Sequence, residues 1–231
     1  MRKRMVLIAV LLILFIVLGC TIFYFTRPSV AFVASSSFPP GYELPEPGNI
    51  LRYRMTDNIG NADLVITAPD AAVPSGSDSY LFGREAEDGE SPAAVLAIDT
   101  GRMWESALPL GSAVVLYEES DPASREILSH LEEIDPDIKS VSYSGRISVA
   151  NIDSVRSSIE SASAEYLFAL TPSTSMELLR SDHQWSVVMD VRDSAAMEAT
   201  EVDYAVSIDW DATVDNLLSG NAELSYTLLT L

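Results

Sequence analysis

The residues that look most able to do chemistry are Asp209-Trp210-Asp211-Ala212-Thr213-Val214, which follow the apolar run Ala205-Val206-Ser207-Ile208. Two aspartates one residue apart, at the point where a strand gives way to a helix, can supply a nucleophile and a general acid/base for phosphoryl transfer. Such a reaction needs more than two carboxylates. A hydroxyl, a lysine and a further acidic pair must reach the same end of the sheet to hold phosphate and magnesium.

The pattern resembles the D-x-D-x-T of the haloacid-dehalogenase-like phosphatases, in which that strand opens the core and the other groups arrive on later strands. Here the run lies on the last strand of the alternating pattern, followed by one helix and a short tail. No Lys or Arg occurs after Arg192. A D-x-D glycosyltransferase metal site meets the same objection, because its catalytic half would have to follow. Aspartates in the first turn of a helix satisfy orphan N–H groups and suit the helix dipole, so a capping cluster accounts for the motif more simply. Other arrangements are weaker still. His130 and His183 lie apart, no serine sits in a G-x-S-x-G elbow, and "PSGSDS" lacks the lysine and the strand–helix setting of a phosphate loop. The carboxylates of "EEIDPD" read as a turn that ends a helix. The chain is expected to be no enzyme, with no catalytic residue, metal or cofactor.

The elements that would position these residues form a regular series from Gly111 onward. "SAVVLYEES" reads as a buried strand, and Asp121-Pro122 opens a helix with aspartate as N-cap and proline at the first position. Ala123, Ile127, Leu128, Leu131 and Ile134 fall on one face of that helix. Strand "IKSVSY" follows, then a helix over 151–162, strand "YLFAL", a short helix over 173–180, strand "WSVVMDV", a helix near 195–200, strand "YAVSI" and a last helix through Leu218. Strands joined by helices require parallel crossovers, which predicts an α/β fold with a doubly wound, mostly parallel sheet. Residues 28–110 are poorer in helix. Strands are expected at Val30–Val33, Ala62–Thr67, Tyr80–Phe82 and Ala93–Ile98, with a weak helix over Ile50–Asp57 and Pro/Gly/Ser-rich loops between.

Charge and hydropathy divide the chain again. Arg2, Lys3, Arg4 and Arg27 are the only charges in the first 27 residues. Taking those four positive charges from the net −20 leaves −24 on residues 28–231. A surface that acidic repels phosphate backbones, so nucleic acid is not an expected partner. Met5 to Phe25 is uncharged and, as a helix, roughly 31 Å long, enough to cross a bilayer core. The basic cluster before it is expected to keep the N-terminus in the cytoplasm and to place residues 28–231 on the outer side of a bacterial cell membrane. Two fates of this segment stay open. It is either an uncleaved signal anchor or the leader of a lipoprotein, with Val17-Leu18-Gly19-Cys20 as a relaxed lipobox and Cys20 as the acylated residue. Cys20 is the only cysteine, so the exported part has no disulfide and relies on its core. The reading is therefore a basic stub and membrane helix over 1–27, a reduced N-terminal lobe over 28–110 and a C-terminal lobe over 111–231.

"SAVVLYEESDPASREILSHLEEI", then "SAEYLFALTPSTSMELL", "WSVVMDV" and "DYAVSIDWDATVDNLL" resemble, in that order, the second lobe of type I periplasmic binding proteins, the sugar-binding and LacI-regulator superfamily. The resemblance covers about residues 111–219 and lies in hydrophobic pattern and turn chemistry. The first lobe is truncated relative to that family. The resemblance implies a ligand held at the carboxyl ends of the strands, as in open α/β sheets generally. The matching positions here are Tyr117, Glu118, Thr171, Asp190, Asp209 and Trp210, with Ser36 after the first strand. It implies a membrane-tethered solute-binding domain for a small polar ligand, with a transporter permease or membrane sensor as partner. The other reading is a degenerate relative that serves as a non-catalytic interaction or scaffold module at the membrane surface.

Overall fold

The computed structural model describes residues 2–34, 52–75 and 78–231, with side chains from residue 11 onward. Helix α1 (Arg2–Phe25) carries the apolar N-terminal run. The described side chains cover 11–25 of it, a length of roughly 22 Å. Among the described residues, no helix is long and apolar enough to cross a membrane. The chain forms two compact units. Among the described residues, the first takes in 2–34, 52–75, 78–96 and 214–222, and the second 97–213 and 223–231.

The first unit is built on a five-stranded, wholly parallel sheet. Its strands are β1 (Ser29–Val33), β2 (Arg54–Met55), β3 (Leu64–Thr67), β4 (Ser79–Phe82) and β5 (Ala94–Leu96), in the order β2-β1-β3-β4-β5. The weak helix expected over Ile50–Asp57 is replaced at 54–55 by β2, which pairs with β1 through Ser29↔Arg54 and Val30↔Met55. Burial of Tyr53, only 3% exposed, outweighs the local helical preference. Every residue of β3 is buried, as a parallel strand covered on both faces requires.

Parallel crossovers are commonly helices, yet the described residues between β3, β4 and β5 form turns and loops. One side chain ties them together. Arg84 donates from Nε to the Pro69 carbonyl at 2.9 Å, from Nη2 to the Ala71 carbonyl at 3.2 Å and from Nη1 to the Glu85 carbonyl at 2.8 Å. It also grips both carboxylate oxygens of Glu90, at 2.6 and 2.7 Å. Glu90 in turn accepts from the backbone N–H of Val73 and of Glu87. Gly83 at φ +74° turns the chain into this knot, where a Cβ would stand 3.2 Å from the Pro69 ring.

In the second unit, α2 (Thr100–Glu105) precedes β6 (Ala113–Glu118), α3 (Pro122–Ile134), β7 (Lys139–Tyr143), α4 (Ile152–Ala162), β8 (Tyr166–Ala169), α5 (Pro172–Leu179), β9 (Ser186–Asp190), α6 (Ser194–Ala199) and β10 (Tyr204–Ile208). Helix α7 (Trp210–Leu218) and strand β11 (Tyr226–Thr230) complete the chain's elements. The sheet runs β11-β10-β9-β8-β6-β7, parallel except for β11. Alternate residues feed two cores. Val114, Leu116, Leu167, Val187 and Met189 pack with Val155 and Ile159 of α4 and Leu178 of α5. Val115, Phe168, Val188 and Val206 pack with Met103 and Trp104 of α2 and Ile127, Leu128 and Leu131 of α3. Helices thus cover both faces, as the alternating pattern predicts.

Asp121 caps α3 as expected, its Oδ2 accepting from the Ser124 N–H at 3.0 Å. The buried stripe of α3 differs at its ends. Ser124 is buried where Ala123 was expected, its hydroxyl donating to the Glu118 carbonyl at 3.2 Å, and Ile134 is 45% exposed. Two elements grouped with this unit are not among those expected from the sequence. Helix α2 is short, but Asp99 caps it by accepting from Arg102 N–H. Strand β11 returns antiparallel along β10, from Ile208↔Tyr226 to Tyr204↔Thr230.

The Arg84–Glu90 knot generates a pH-dependent expectation. Arg84, first, and the two backbone donors hold the Glu90 carboxyl down to about 2, against an unfolded value of 4.5. A depressed folded value stabilises fully above the unfolded value and is lost as pH falls toward the folded one. Glu90→Gln is therefore expected to lower the unfolding midpoint at neutral pH. The deficit should shrink as pH drops from about 4.5 toward 2, as followed by circular dichroism. A deficit that does not change across that window would rule out the ion pair as its cause.

Candidate binding site

Parallel strands present one edge, and here the carboxyl ends of β7, β6, β8, β9 and β10 stand side by side. Tyr143, Glu118, Thr171, Asp190 and Asp209 mark those ends in that order. The strand order reverses between β6 and β8, where open α/β sheets leave a crevice for ligands. Ser36 lies outside the described residues.

Each polar group at this edge is engaged by a neighbour. Glu118, 7% exposed, accepts from the Gly145 N–H at 2.8 Å through Oε1 and from the Ser120 N–H at 3.0 Å through Oε2. The Ser120 hydroxyl reaches the same carboxylate at 2.7 Å. These donors, the Gly145 N–H first, hold the Glu118 carboxyl below the usual range. Its carboxylate thereby joins the β6–α3 turn to the loop after β7. Thr171 and Thr174 converge on Tyr143, whose Oη lies 2.6 Å from each threonine hydroxyl and 3.1 Å from the Thr171 carbonyl. Tyr143 is 4% exposed, and burial raises its pKa. Thr171 therefore does come to the switch point, and Tyr143 and Thr174 come with it.

Farther along, Asp190 is 5% exposed and accepts from the Arg192 N–H at 2.8 Å and Arg192 Nε at 2.7 Å. Arg192 Nη2 closes the pair on the same carboxylate. Asp193, half-buried beside it, has its carboxyl raised to about 6, by burial first and by the charge of Asp190 second, with Arg192 opposing. Tyr226 at the start of β11 accepts from the Asp99 N–H at 2.7 Å.

Asp209 accepts from the Ala212 N–H at 2.9 Å, which is N-capping geometry for α7. The capping account of Asp209-Trp210-Asp211 thus matches the placement of its first aspartate. Trp210 is 4% exposed. Tyr117 is half-buried and packs on the α2–α3 face of the sheet with Val115 and Phe168. Among the described residues, no group of three or more His, Cys, Asp or Glu is placed to hold a metal ion.

Sequence reasoning missed Tyr143, Thr174, Arg192 and Ser120. Tyr143 ends the expected strand "IKSVSY", but its threonine partners reach it only through the fold. Ser120 and Arg192 lie two residues past strand-end carboxylates, a spacing that marks side chains folding back on the strand end.

No protein-family model matches the sequence, and no curated protein matches it. Solved structures similar to the chain include the Escherichia coli transcriptional repressor ascG, at 13% identity and a TM-score of 0.38, covering 88% of this chain and 97% of the repressor's. A Caulobacter myo-inositol binding protein bound to myo-inositol is similar at 17% identity and a TM-score of 0.37, covering 88% of this chain and 93% of its own. A LacI family transcriptional regulator from Silicibacter pomeroyi is similar at 11% and 0.37, covering 87% and 96%. At such identities no residue role is carried over. The α/β, mostly parallel assignment rests on the strand registers themselves.

The raised Asp193 has a measurable consequence. Its folded value of about 6 exceeds the unfolded 3.8, so the folded state binds the extra proton and this group's contribution to stability falls as pH rises through that window. Asp193→Asn is expected to stabilise the chain at pH 7, by about 1 kcal/mol after solvent screening of a half-buried group. The gain should vanish below about pH 4 in the same thermal melts. An Asn variant no more stable at pH 7 than the wild type would show that the carboxylate is well solvated.

Proposed function

We propose that the chain is a membrane-tethered, extracytoplasmic and non-catalytic binding domain that takes a small polar solute at the carboxyl-terminal edge of the second unit's sheet. The observation that carries this reading is the cluster at the reversal point of the strand order. There the Tyr143 and Thr171 hydroxyls stand at the ends of the strands flanking Glu118, and the Thr174 hydroxyl joins them from the first turn of α5. Hydroxyls, which both donate and accept, beside a carboxylate with four lone-pair sites suit a ligand rich in hydroxyls or amides. The solute would serve transport or sensing, handed to a permease or reported to a membrane sensor. The tether would be α1, oriented by Arg2-Lys3-Arg4, either as an uncleaved anchor or through acylated Cys20, which is exposed.

A second reading is favoured by a different observation. Glu118, Asp190 and Asp209 all have intramolecular donors at hydrogen-bond distance. An edge so fully satisfied also suits a scaffold or interaction module that keeps the fold and binds no solute.

Two measurements separate these readings. A thermal-shift screen of the full chain against sugars, amino acids and nucleosides is expected to find a stabilising class. Tyr143→Phe and Thr171→Val should then weaken that ligand about tenfold or more, while Asp209→Ala should cost about 1 kcal/mol of stability and leave affinity unchanged. No stabilising class at millimolar concentration, or a ligand indifferent to Tyr143 and Thr171, would leave the scaffold reading in its place. For the tether, a reporter fused after residue 30 is expected to be active outside the cytoplasm. If Cys20 is acylated, Cys20→Ser should abolish lipid labelling and leave an uncleaved precursor. A reporter active inside the cell would overturn the topology.

A further inference from the structure

We infer that the second unit carries a further binding site, for a basic amino acid, on the edge of its sheet opposite the one described above. A cavity of about 670 Å³ lies where the amino ends of β8 and β9 meet α4. Its lining comes from residues 156–185 alone. Arg156 and Glu160 of α4 face Glu165, which precedes β8, and Asp182, His183 and Trp185, which precede β9.

Two donors in this wall lack acceptors. Trp185 is 6% exposed and belongs to the core that α4 and α5 complete, yet its Nε1–H has no hydrogen-bond partner. The buried Arg156 Nε–H has none either. Buried polar groups are nearly always paired, so two orphans at one cavity call for an acceptor that the fold does not supply. Among the described residues, the Arg156 guanidinium also has no ion pair. That favours a carboxylate over a neutral acceptor. The indole is held by the core, while the long Arg156 side chain has the rotamer freedom to follow an entering group.

The rest of the wall asks for the opposite chemistry. Glu160, Glu165 and Asp182 are exposed, and among the described residues none of them is in an ion pair. Three carboxylates against one guanidinium leave a formal charge of −2 on the lining. The His183 Nδ1 stands 2.9 Å from the Trp185 carbonyl. A carbonyl only accepts, so Nδ1 carries the hydrogen and the neutral ring offers Nε2 as a further acceptor. The imidazole lies flat on the Trp185 indole, with centroids 5.2 Å apart.

These demands select the ligand. A simple carboxylic acid meets three like charges, and a simple diamine leaves the two orphan donors unpaired. A basic amino acid has one carboxylate and two cationic groups. Its α-carboxylate and α-ammonium are neighbours, as are Arg156 and Glu160, one turn apart on α4. The side-chain cation is then left for Glu165 or Asp182. The acidic surface of the whole domain draws such a net cation toward it.

The test titrates the full chain in detergent with L-lysine by calorimetry. Norleucine, which lacks the side-chain ammonium, and cadaverine, which lacks the carboxylate, are run beside it. Lysine is expected to bind, with each analogue weaker by at least about tenfold. Arg156→Met should weaken lysine by a similar factor and remove its advantage over cadaverine. Glu160→Gln should weaken lysine and cadaverine alike. Trp185→Phe deletes the Nε1 donor and should also weaken lysine, but it alters a core residue. The two α4 variants, at half-buried and exposed positions, decide the matter if that one fails to fold. No binding of lysine at millimolar concentration would overturn the inference. So would cadaverine binding as tightly as lysine, the mark of an acidic surface alone. An affinity that falls in Tyr143→Phe but not in Arg156→Met would place the amino acid at the carboxyl edge, and would overturn it too.

Discussion

Parallel pairing is the constraint from which the rest of the molecule follows. Parallel strands need long crossovers, bury both faces and bring all their carboxyl ends to one edge. The second unit meets the first two demands with helices on each face of the sheet. The first unit meets the crossover demand at β3, β4 and β5 with loops, and loops leave carbonyl groups that a helix would have satisfied internally. Arg84 takes up three of them and anchors on Glu90. A guanidinium suits this work because its donors fan out in one rigid plane and its charge persists at any physiological pH.

The third demand creates the site and its ambiguity together. A strand that ends under a helix N-terminus needs an acceptor there for the orphan N–H groups. A ligand cleft at the same edge needs polar groups too. Asp209 and Asp190 have the residue type and position of both. What separates the two roles is the distance to the next backbone donors, 2.9 Å to the Ala212 N–H and 2.8 Å to the Arg192 N–H. The threonine–tyrosine group differs in kind. Thr171 makes no capping bond to the α5 backbone, and its hydroxyl is turned to Tyr143 instead.

How much was legible in the sequence varies with how local the determinant is. The series from β6 to α7 was readable because β6, β8, β9 and β10 are largely apolar runs, β7 alternates, and the longer helices keep a 3.6-residue stripe. Asp121-Pro122 announced α3 by capping chemistry alone. Strand β2 was not readable, because two residues paired with β1 leave no periodic trace and Tyr53 is buried by a long-range contact. Strand β11 had β-branched and aromatic residues after the Gly220 turn, but nothing local says that it runs against its neighbours. Tyr143 ends an expected strand, and its two threonine partners lie 28 and 31 residues away, so the group exists only once the fold is formed.

The division of the chain also sets an order of events during synthesis. Val214 and Leu217, fully and almost fully buried, fall in the last stretch of the first unit, which is translated only after residues 97–213 of the second. Domains generally fold as they emerge from the ribosome, N-terminal part first. This first unit cannot do so, because its core lacks a piece until nearly the whole polypeptide has been made. All five of its strands are made by residue 96, but the stretch 214–222 that completes the unit is translated only after residues 97–213.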